Sequence, residues 1–375
     1  MDDLELGYLL AVSAAAVWSP RALGAWMRAF QSPRELIRHA SVATDMPPAG
    51  VERLPKTAIA RLASIDDAHA LDALRSARSC GASITVHGEP GYPAALDDLC
   101  DPPLVLYARG SLECLRGRTM AIVGSRAASQ YGRWAAAAFA SEFSAYGVTV
   151  ISGLARGIDE AAHRGAIDAA SPTAAVLGSG LRSLYPPYHS LLADEIVERG
   201  GVVLSEFPPD EPARAFQFPM RNRIVAALGR ATIVVEASTR SGALITARLA
   251  DDLGRFVFAV PGDIGRPTSR GTNALIADGV ALVTSASDVA SLMGWEPIVG
   301  VPEQSGQSAP VDALVACLPA GGAAIDELAA RCSADTSEIA ARLTLLEMQG
   351  VVERRPGGLY APVRQRVAEN SPACT

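Results

Sequence analysis

The stretch Ala121-Ile122-Val123-Gly124-Ser125-Arg126 shows the pattern on which this 375-residue chain is built. A short apolar run ends in a loop of glycine, serine and often arginine, and such a unit occurs six times between Thr119 and Asp263. Apolar strands that alternate with helical stretches predict a Rossmann-like, doubly wound parallel sheet with helices on both faces. In such a sheet the post-strand loops lie along one edge, where ligands bind. The other five runs are Val148–Ile151, Ala174–Leu177, Val202–Leu204, Thr232–Val235 and Phe256–Val260.

The bulk composition fits a globular α/β protein with more than one domain. The net charge of −7 provides no global attraction for nucleic acid, so any anion site must be local. Lys56 is the only lysine, which leaves cation chemistry to arginine, a residue suited to phosphate contacts and base stacking. The six cysteines form no CxxC pair, so we expect free thiols and neither a metal nor a cofactor. The sequence predicts a cytoplasmic protein without a membrane partner, because it shows no signal peptide and no run of membrane-spanning length.

Turn residues and a polar linker divide the chain into five parts. The first part contains predicted helices at Leu4–Val17, Pro20–Phe30, Pro33–His39 and from about Thr57. It lacks the glycine-rich turn of a DNA-binding helix-hairpin-helix, which favours a packing role. The predicted parts are a small helical (SAM-like) domain over 1–78, the sheet domain over 79–297, a linker over 298–310, a winged helix over 311–363 and a tail over 364–375.

The winged-helix prediction depends on the order helix, helix, helix, hairpin. Asp335 and Glu338 have the spacing of a capping box before a helix over Ser337–Gln349, and a hairpin follows over Val351–Tyr360. The third helix carries little positive charge and only the wing is basic. This charge distribution favours a protein-contact or structural role over DNA reading, although both stay open.

The first two loops combine small residues with helix starts. Gly124-Ser125-Arg126 offers a close backbone approach, free N–H groups and a guanidinium, but it is neither GxGxxG nor a P-loop. In the second loop, Ser152–Asp159, we expect Asp159 or Glu160 to cap the following helix. His163 is predicted to lie on the surface of that helix, without a metal or acid–base role.

Phe216–Arg223, together with Arg214, combines aromatic rings with arginines, which a single-strand binding groove requires. The alternative is that Phe216 and Phe218 fill the core and that Arg223 pairs with Glu206 or Glu236. Arg221 and Asn222 are harder to explain as core residues. Two further helix starts, Ser241-Gly242 and Gly271-Thr272-Asn273, add donors to the same edge. Five such loops exceed the needs of one phosphate and predict a chain of phosphates.

In this order the motifs resemble the DNA-processing protein A (DprA/Smf) family over about 80–296. The resemblance implies a homodimer that binds single-stranded DNA and helps load RecA during natural transformation, without enzymatic activity. Some members have a lysine where this chain has Pro187, which would shift DNA affinity toward Arg214 and Arg182. The residues and the resemblance together predict DNA contacts at Gly124, Ser125, Arg126, Ser152, Gly153, Arg156, Gly157, Arg214, Phe216, Phe218, Arg221, Asn222, Arg223, Ser241, Gly242 and Asn273.

Two other functions remain open at this point. A nucleoside-monophosphate phosphoribohydrolase of the LOG-like kind has a similar fold, but the Arg240–Thr246 loop lacks the expected catalytic glutamate, and Glu236 has no evident acidic partner. Release of adenine from AMP would support that enzyme. In a third interpretation, a partner-binding adaptor, the linker and the winged helix carry the function.

Overall fold

The computed structural model divides into two compact units, residues 1–303 and 304–375. Each unit is treated on its own. The described residues are 2–15, 20–30, 32–42, 47, 49–298, 314, 317–319, 322–332, 335–348, 351–355 and 358–362.

A nine-stranded sheet forms the centre of the first unit, and its order is β1-β2-β6-β5-β4-β3-β7-β8-β9. The seven strands from β6 to β9 in this order are parallel, whereas β2 is antiparallel to both of its neighbours. All six predicted runs are strands, which confirms the Rossmann-like sheet. The strands are β1 (Ser83–Val86), β2 (Val105–Gly110), β3 (Arg118–Val123), β4 (Val148–Ser152), β5 (Thr173–Val176), β6 (Val202–Ser205), β7 (Ala231–Val234), β8 (Phe256–Ala259) and β9 (Ala281–Leu282).

The strand order reverses between β3 and β7. The chain runs outward from β3 through β4 and β5 to β6, then crosses back to β7 on the other side of β3. The loops after β3 and β7 meet at this point, where the Ser125 N–H donates to the Glu236 carbonyl over 2.7 Å. In open α/β sheets such a reversal opens a crevice at the carboxyl ends of the strands. The fold therefore places Gly124-Ser125-Arg126 beside the preferred ligand position.

Both faces of the sheet are buried under helices, which explains the near-continuous apolar strands. Successive residues of β3 point to opposite faces: Met120 and Ile122 enter one core, and Ala121 and Val123 enter the other. Helices pack on both sides of the sheet and start at the ends of its strands. They are α6 (Gln130–Glu142), α7 (Ile158–Asp168), α8 (Ser190–Glu198), α9 (Gln217–Leu228), α10 (Gly242–Asp252), α11 (Arg270–Ala277) and α12 (Ala286–Met293).

The N-terminal helices belong to the same compact unit as the sheet. Leu10 and Leu74 pack in one apolar cluster with Val105 and Tyr107 of β2. The predicted helices are present, and a fifth, which the sequence reading did not separate, follows them. These helices are α1 (Asp3–Ala15), α2 (Pro20–Ala29), α3 (Pro33–Val42), α4 (Lys56–Ala63) and α5 (Asp67–Ser79).

The second unit contains α13 (Ile325–Cys332), α14 (Thr336–Met348) and a hairpin of β10 (Val352–Arg355) and β11 (Leu359–Pro362). The predicted third helix and wing are therefore present. The first predicted helix apart from Leu314, the Glu338 side chain, the tail and the linker beyond residue 298 lie outside the described residues. Across the described helices of both units, none combines the length and apolar character required to cross a bilayer.

Candidate nucleic-acid interface

A groove of about 770 Å³ lies over the carboxyl ends of β3, β4 and β7. A neighbouring cavity of about 340 Å³ shares Arg126 and Phe218 with it and adds Arg156. The groove therefore joins loops that are far apart in sequence. Its walls include nine of the predicted contact residues: Gly124, Ser125, Arg126, Gly153, Phe218, Arg221, Asn222, Ser241 and Gly242.

The first turns of two long helices, α9 and α10, contribute to the walls of the groove. At α10 the Ser241 side chain accepts from the Ala243 N–H over 3.3 Å, and this helix also lines the groove with Gly242 and Thr246. N–H groups in a first helical turn lack partners within the helix and carry partial positive charge. The backbone thus adds to an environment that favours anions.

Arg126 lies over the Phe218 ring, with its guanidinium carbon 4.7 Å from the ring centroid. The Tyr185 ring lies 5.7 Å from that of Phe218 at an interplanar angle of 59°. Arg126 is exposed, and its guanidinium donates no hydrogen bond to any other residue that the structure describes. The groove thus contains an oriented cation beside aromatic surface. Tyr185 was not among the predicted contacts, although an aromatic residue followed by two prolines is a signal for a ring in an exposed loop.

Two further arginines lie close to this cluster. Arg156 is exposed and its Nε donates to the Arg126 carbonyl over 3.3 Å, which joins the loops after β3 and β4. Arg214 lies between two wall residues, Ala213 and Ala215, and its Nε is 3.4 Å from Glu211 Oε1. Since Arg214 is half exposed, this ion pair leaves it accessible from solvent.

Glycines in these loops permit close packing within the protein. Gly157 has a φ of +91°, and a Cβ there would lie 2.4 Å from the Ser125 carbonyl. A Cβ on Gly153 would lie 2.4 Å from the Arg221 guanidinium. The loops after β3 and β4 therefore need glycine to approach each other and Arg221. This requirement exists without any ligand.

Arg221 lies beneath the groove and is only 4% exposed. It donates to the Gly153 carbonyl over 2.7 Å and also to the Val176 carbonyl. Burial lowers its pKa to about 10, against the opposing effect of Asp159. The prediction that Asp159 or Glu160 caps α7 was wrong, because no side chain caps the start of this helix. Asp159 instead accepts from the N–H groups of Gly153 and Ala155 at 3.1 and 3.4 Å. Together these buried groups hold the second loop in position.

Arg223 turns away from the groove into a buried ion pair. It lies 2.7 Å from Glu206 Oε2 and 3.1 Å from Asp101 Oδ2. This geometry agrees with the alternative of a Glu206 pair. Helical spacing explains the separation, because α9 directs Phe218 and Asn222 to the groove, while Arg223 is a further 100° around the helix.

Other predicted contacts also have partners within the protein. Ser152 is buried and donates to the Ile122 carbonyl over 2.7 Å. Asn273 exchanges hydrogen bonds of 3.1 and 2.9 Å with the backbone of Gly262 and so fixes the loop after β8. Arg182 is held by Asp210 and by α5, away from the groove walls. The predicted contacts that line neither cavity are Ser152, Gly157, Arg214, Phe216, Arg223 and Asn273.

His163 is fully buried, so the prediction that it lies on a helix surface was wrong. Its Nδ1 is 2.8 Å from the Thr173 hydroxyl, which itself donates to the Val150 carbonyl. Nδ1 therefore carries the proton, and Nε2 has no hydrogen-bond partner among the described residues. Burial, with smaller effects of His189 and Arg221, lowers the pKa of His163 to about 3.

The buried histidine predicts a loss of stability in acid. His163 stays neutral in the folded protein down to about pH 3, whereas the unfolded chain takes up a proton below its ordinary pKa of about 6.5. Its contribution is therefore complete above about pH 6.5 and falls as the pH drops, by about 2 kcal/mol at about pH 5. Urea unfolding of His163→Asn at several pH values should show a flatter decline than the original protein. Parallel declines would contradict this assignment.

Comparison with known families assigns a protein with this fold to the DNA recombination-mediator class. The family model described as "DNA recombination-mediator protein A" matches residues 83–294, more than half of the chain. The model "DprA winged helix domain" matches residues 301–358. The chain belongs to the DNA recombination-mediator protein A family.

Individual relatives agree with this assignment. Protein Smf of Escherichia coli K12 is 39% identical over 283 residues, which cover 73% of this chain and 75% of Smf. The crystal structure of DNA processing protein A from Streptococcus pneumoniae has a TM-score of 0.63 and 33% identity, and covers 79% of this chain and 99% of that one. The Helicobacter pylori protein, described for its unique single-stranded DNA binding mode, has a TM-score of 0.52 and 28% identity over 58% of this chain and 99% of its own.

Proposed function

We propose that this protein binds single-stranded DNA in the groove at the carboxyl ends of β3, β4 and β7. The observation that carries the proposal is the exposed Arg126 stacked on Phe218, beside Tyr185. A cation oriented by an aromatic ring offers one phosphate contact and leaves ring surface for a base. Helix starts and Arg156 extend the positive environment along the same edge. The binding mode described for the H. pylori relative supports the same ligand.

The shape and chemistry of the groove favour a strand over a duplex. The groove is concave, and its walls offer helix starts, arginines and aromatic rings to a ligand. Ring stacking requires an unpaired base, since paired bases expose only their edges. We therefore expect binding with little sequence preference.

The affinity should fall steeply with salt. Four exposed arginines belong to the loops and segments that form the groove: Arg126, Arg156, Arg214 and Arg240. If each contacts one phosphate, the logarithm of the binding constant falls with the logarithm of salt at a slope of about −3. Fluorescence anisotropy with a labelled oligothymidylate over a salt series measures this slope, and a duplex of the same length is the control. A flat response, or tighter binding of the duplex, would contradict the proposal.

The position of Glu236 weakens the case for a nucleotide hydrolase. Glu236 is 2% exposed, and its carboxylate accepts from the Ser129 N–H and hydroxyl at 2.8 and 2.6 Å. It does not line the groove. Both oxygens therefore serve the start of α6, and neither faces a position where a glycosidic bond would lie. We propose a binding role without chemistry on the ligand.

The wider role that we propose is protection of incoming single strands and loading of RecA in the cytoplasm. Membership of the recombination-mediator family supports it. We further propose a homodimer. The short edge strand β9 supports this, since Leu282 on it is an apolar residue that is 48% exposed. The winged helix then serves a protein contact, because Arg355 of the wing already pairs with Glu353.

A further inference from the structure

An exposed pair of aromatic rings lies on α6, outside the groove walls. Tyr131 and Trp134 are 43% and 66% exposed, and their rings are 6.0 Å apart. The other described tryptophans, Trp26 and Trp295, are buried at 0% and 9% exposure. Contiguous exposed apolar patches mark contact surfaces, and these two adjacent rings form such a patch. Nothing in the groove described above uses it.

Hydrogen bonds connect this pair to the groove through one continuous rim. The Gly271 N–H of α11 donates to the Ala237 carbonyl in the loop after β7 over 2.7 Å, and this hydrogen bond joins the loop to α11. Asn273 of α11 holds Gly262, in the loop after β8. The Tyr131 hydroxyl donates to the Pro261 carbonyl of that loop over 3.3 Å. The loops after β3, β7 and β8 thus form one edge, and the rings lie on it.

A cavity of about 480 Å³ lies at this end of the rim, lined by Tyr131, Pro261 and Arg266 among others. Arg270 and Arg133 are exposed nearby on α11 and α6. One carboxylate, Asp263, lies in the cavity wall 3.7 Å from Arg266, and both are more than half exposed. The three arginines face two carboxylates, Asp263 and the buried Glu236 that lies against Gly132 of α6, so the surroundings of the rings keep a small excess of positive charge.

We propose that the strand continues from the groove across this rim and that Trp134 and Tyr131 stack its bases. The inference rests on the proposed function, because it extends the path of the same ligand. Aromatic faces next to guanidinium groups are the combination that holds single strands without sequence preference. Tryptophan, tyrosine and arginine are also enriched at protein interfaces, but the hydrogen-bonded connection to the groove puts these rings on the path of a strand that leaves it. The rim therefore fits a nucleic-acid strand better.

The proposal predicts a length-dependent effect of Trp134→Ala. An oligothymidylate of about 4 nucleotides should occupy the groove alone, and one of about 16 nucleotides should also reach the rim. The variant should bind the longest strand about tenfold more weakly and the shortest within about twofold, since one stacking contact is lost. The slope against salt should stay the same, because no phosphate contact is removed. Leu191→Ala is the matched control, since Leu191 is a 71% exposed apolar residue on α8.

Tryptophan emission gives an independent readout. The difference between the original protein and Trp134→Phe isolates the Trp134 signal, which long strands should quench and the shortest should not. If short strands bind tightly, longer strands bind no more tightly and no strand quenches the Trp134 emission, the extended path is overturned and the groove proposal stays intact. A lack of binding at every length would overturn both. A Trp134 signal that changes with protein concentration in the absence of DNA would assign the surface to a contact between proteins and overturn the path.

Discussion

Arg126→Ala should weaken binding of a short single-stranded oligonucleotide by about 1.5–3 kcal/mol, roughly 10- to 150-fold in Kd. Arg126 is exposed, lies over Phe218 and forms no ion pair within the described residues, so its charge is available to a phosphate. The substitution removes one charge-assisted contact and uncovers the ring. Anisotropy titration at fixed salt measures the loss, and the slope against salt should become shallower by about 0.7.

The control for this prediction is Arg230→Ala. Arg230 is exposed and directly precedes β7, at the opposite end of the strands from the groove. It therefore changes the net charge equally without touching the groove. Arg126→Lys keeps the charge but not the planar fork, and should fall between the two. Equal losses for the Arg126 and Arg230 variants would mean that net charge, not the groove, governs binding.

Arg223→Ala should lower the free energy of unfolding of the sheet unit by about 3–5 kcal/mol. The guanidinium is 9% exposed and faces Glu206, which is 6% exposed, and Asp101. Removing it leaves a buried carboxylate without a counter-charge, which costs more than the pair itself contributes. Urea unfolding followed by tryptophan fluorescence reports this loss, since Trp26 and Trp295 are buried in this unit.

A double substitution distinguishes the effect of leaving Glu206 without its counter-charge from the effect of removing the volume of the Arg223 side chain. Arg223→Met with Glu206→Leu removes both charges and keeps apolar bulk, so it should recover much of the stability. At a temperature where both variants are folded, strand affinity should change little, because Arg223 lies outside the groove walls. A large loss of affinity with unchanged stability would instead make Arg223 a DNA contact.

The sheet was predictable because its strands are buried on both faces and read as apolar runs. The positions of Gly124-Ser125-Arg126 and Ser241-Gly242 followed from the rule that post-strand loops share one edge. The sequence does not show which arginines lie at the groove and which form buried ion pairs. Arg221 and Arg223 are two positions apart on α9, and both are buried, yet one lies beneath the groove and the other pairs with Glu206. Reading Phe216–Arg223 as a helix would have separated them.

His163 and Asp159 show a second limit of prediction from the sequence, namely the recognition of buried polar residues. Both belong to the buried stripe of α7, which continues to Ile167 four residues after His163. The i, i+4 spacing was visible in the sequence, but polar residues on a stripe suggest a surface. Their partners, Thr173 and the Gly153 backbone, come from other strands and loops. Only the assembled fold identifies such partners.

The Arg182 cluster has a consequence for where this unit can begin. Its guanidinium donates to Ser76 and Ser79 of α5 and to Asp210, and Ser76 also donates to Asp210. Asp210 precedes the segment that carries Arg214 at the lip of the groove. A shortened protein starting at β1 would expose the apolar face of β2. It would also lose the contacts of α5 with Arg182 and Asp210, which hold the segment next to the groove. The described N-terminal helices therefore help to fix the segment that carries Arg214, although none of them lines the cavity.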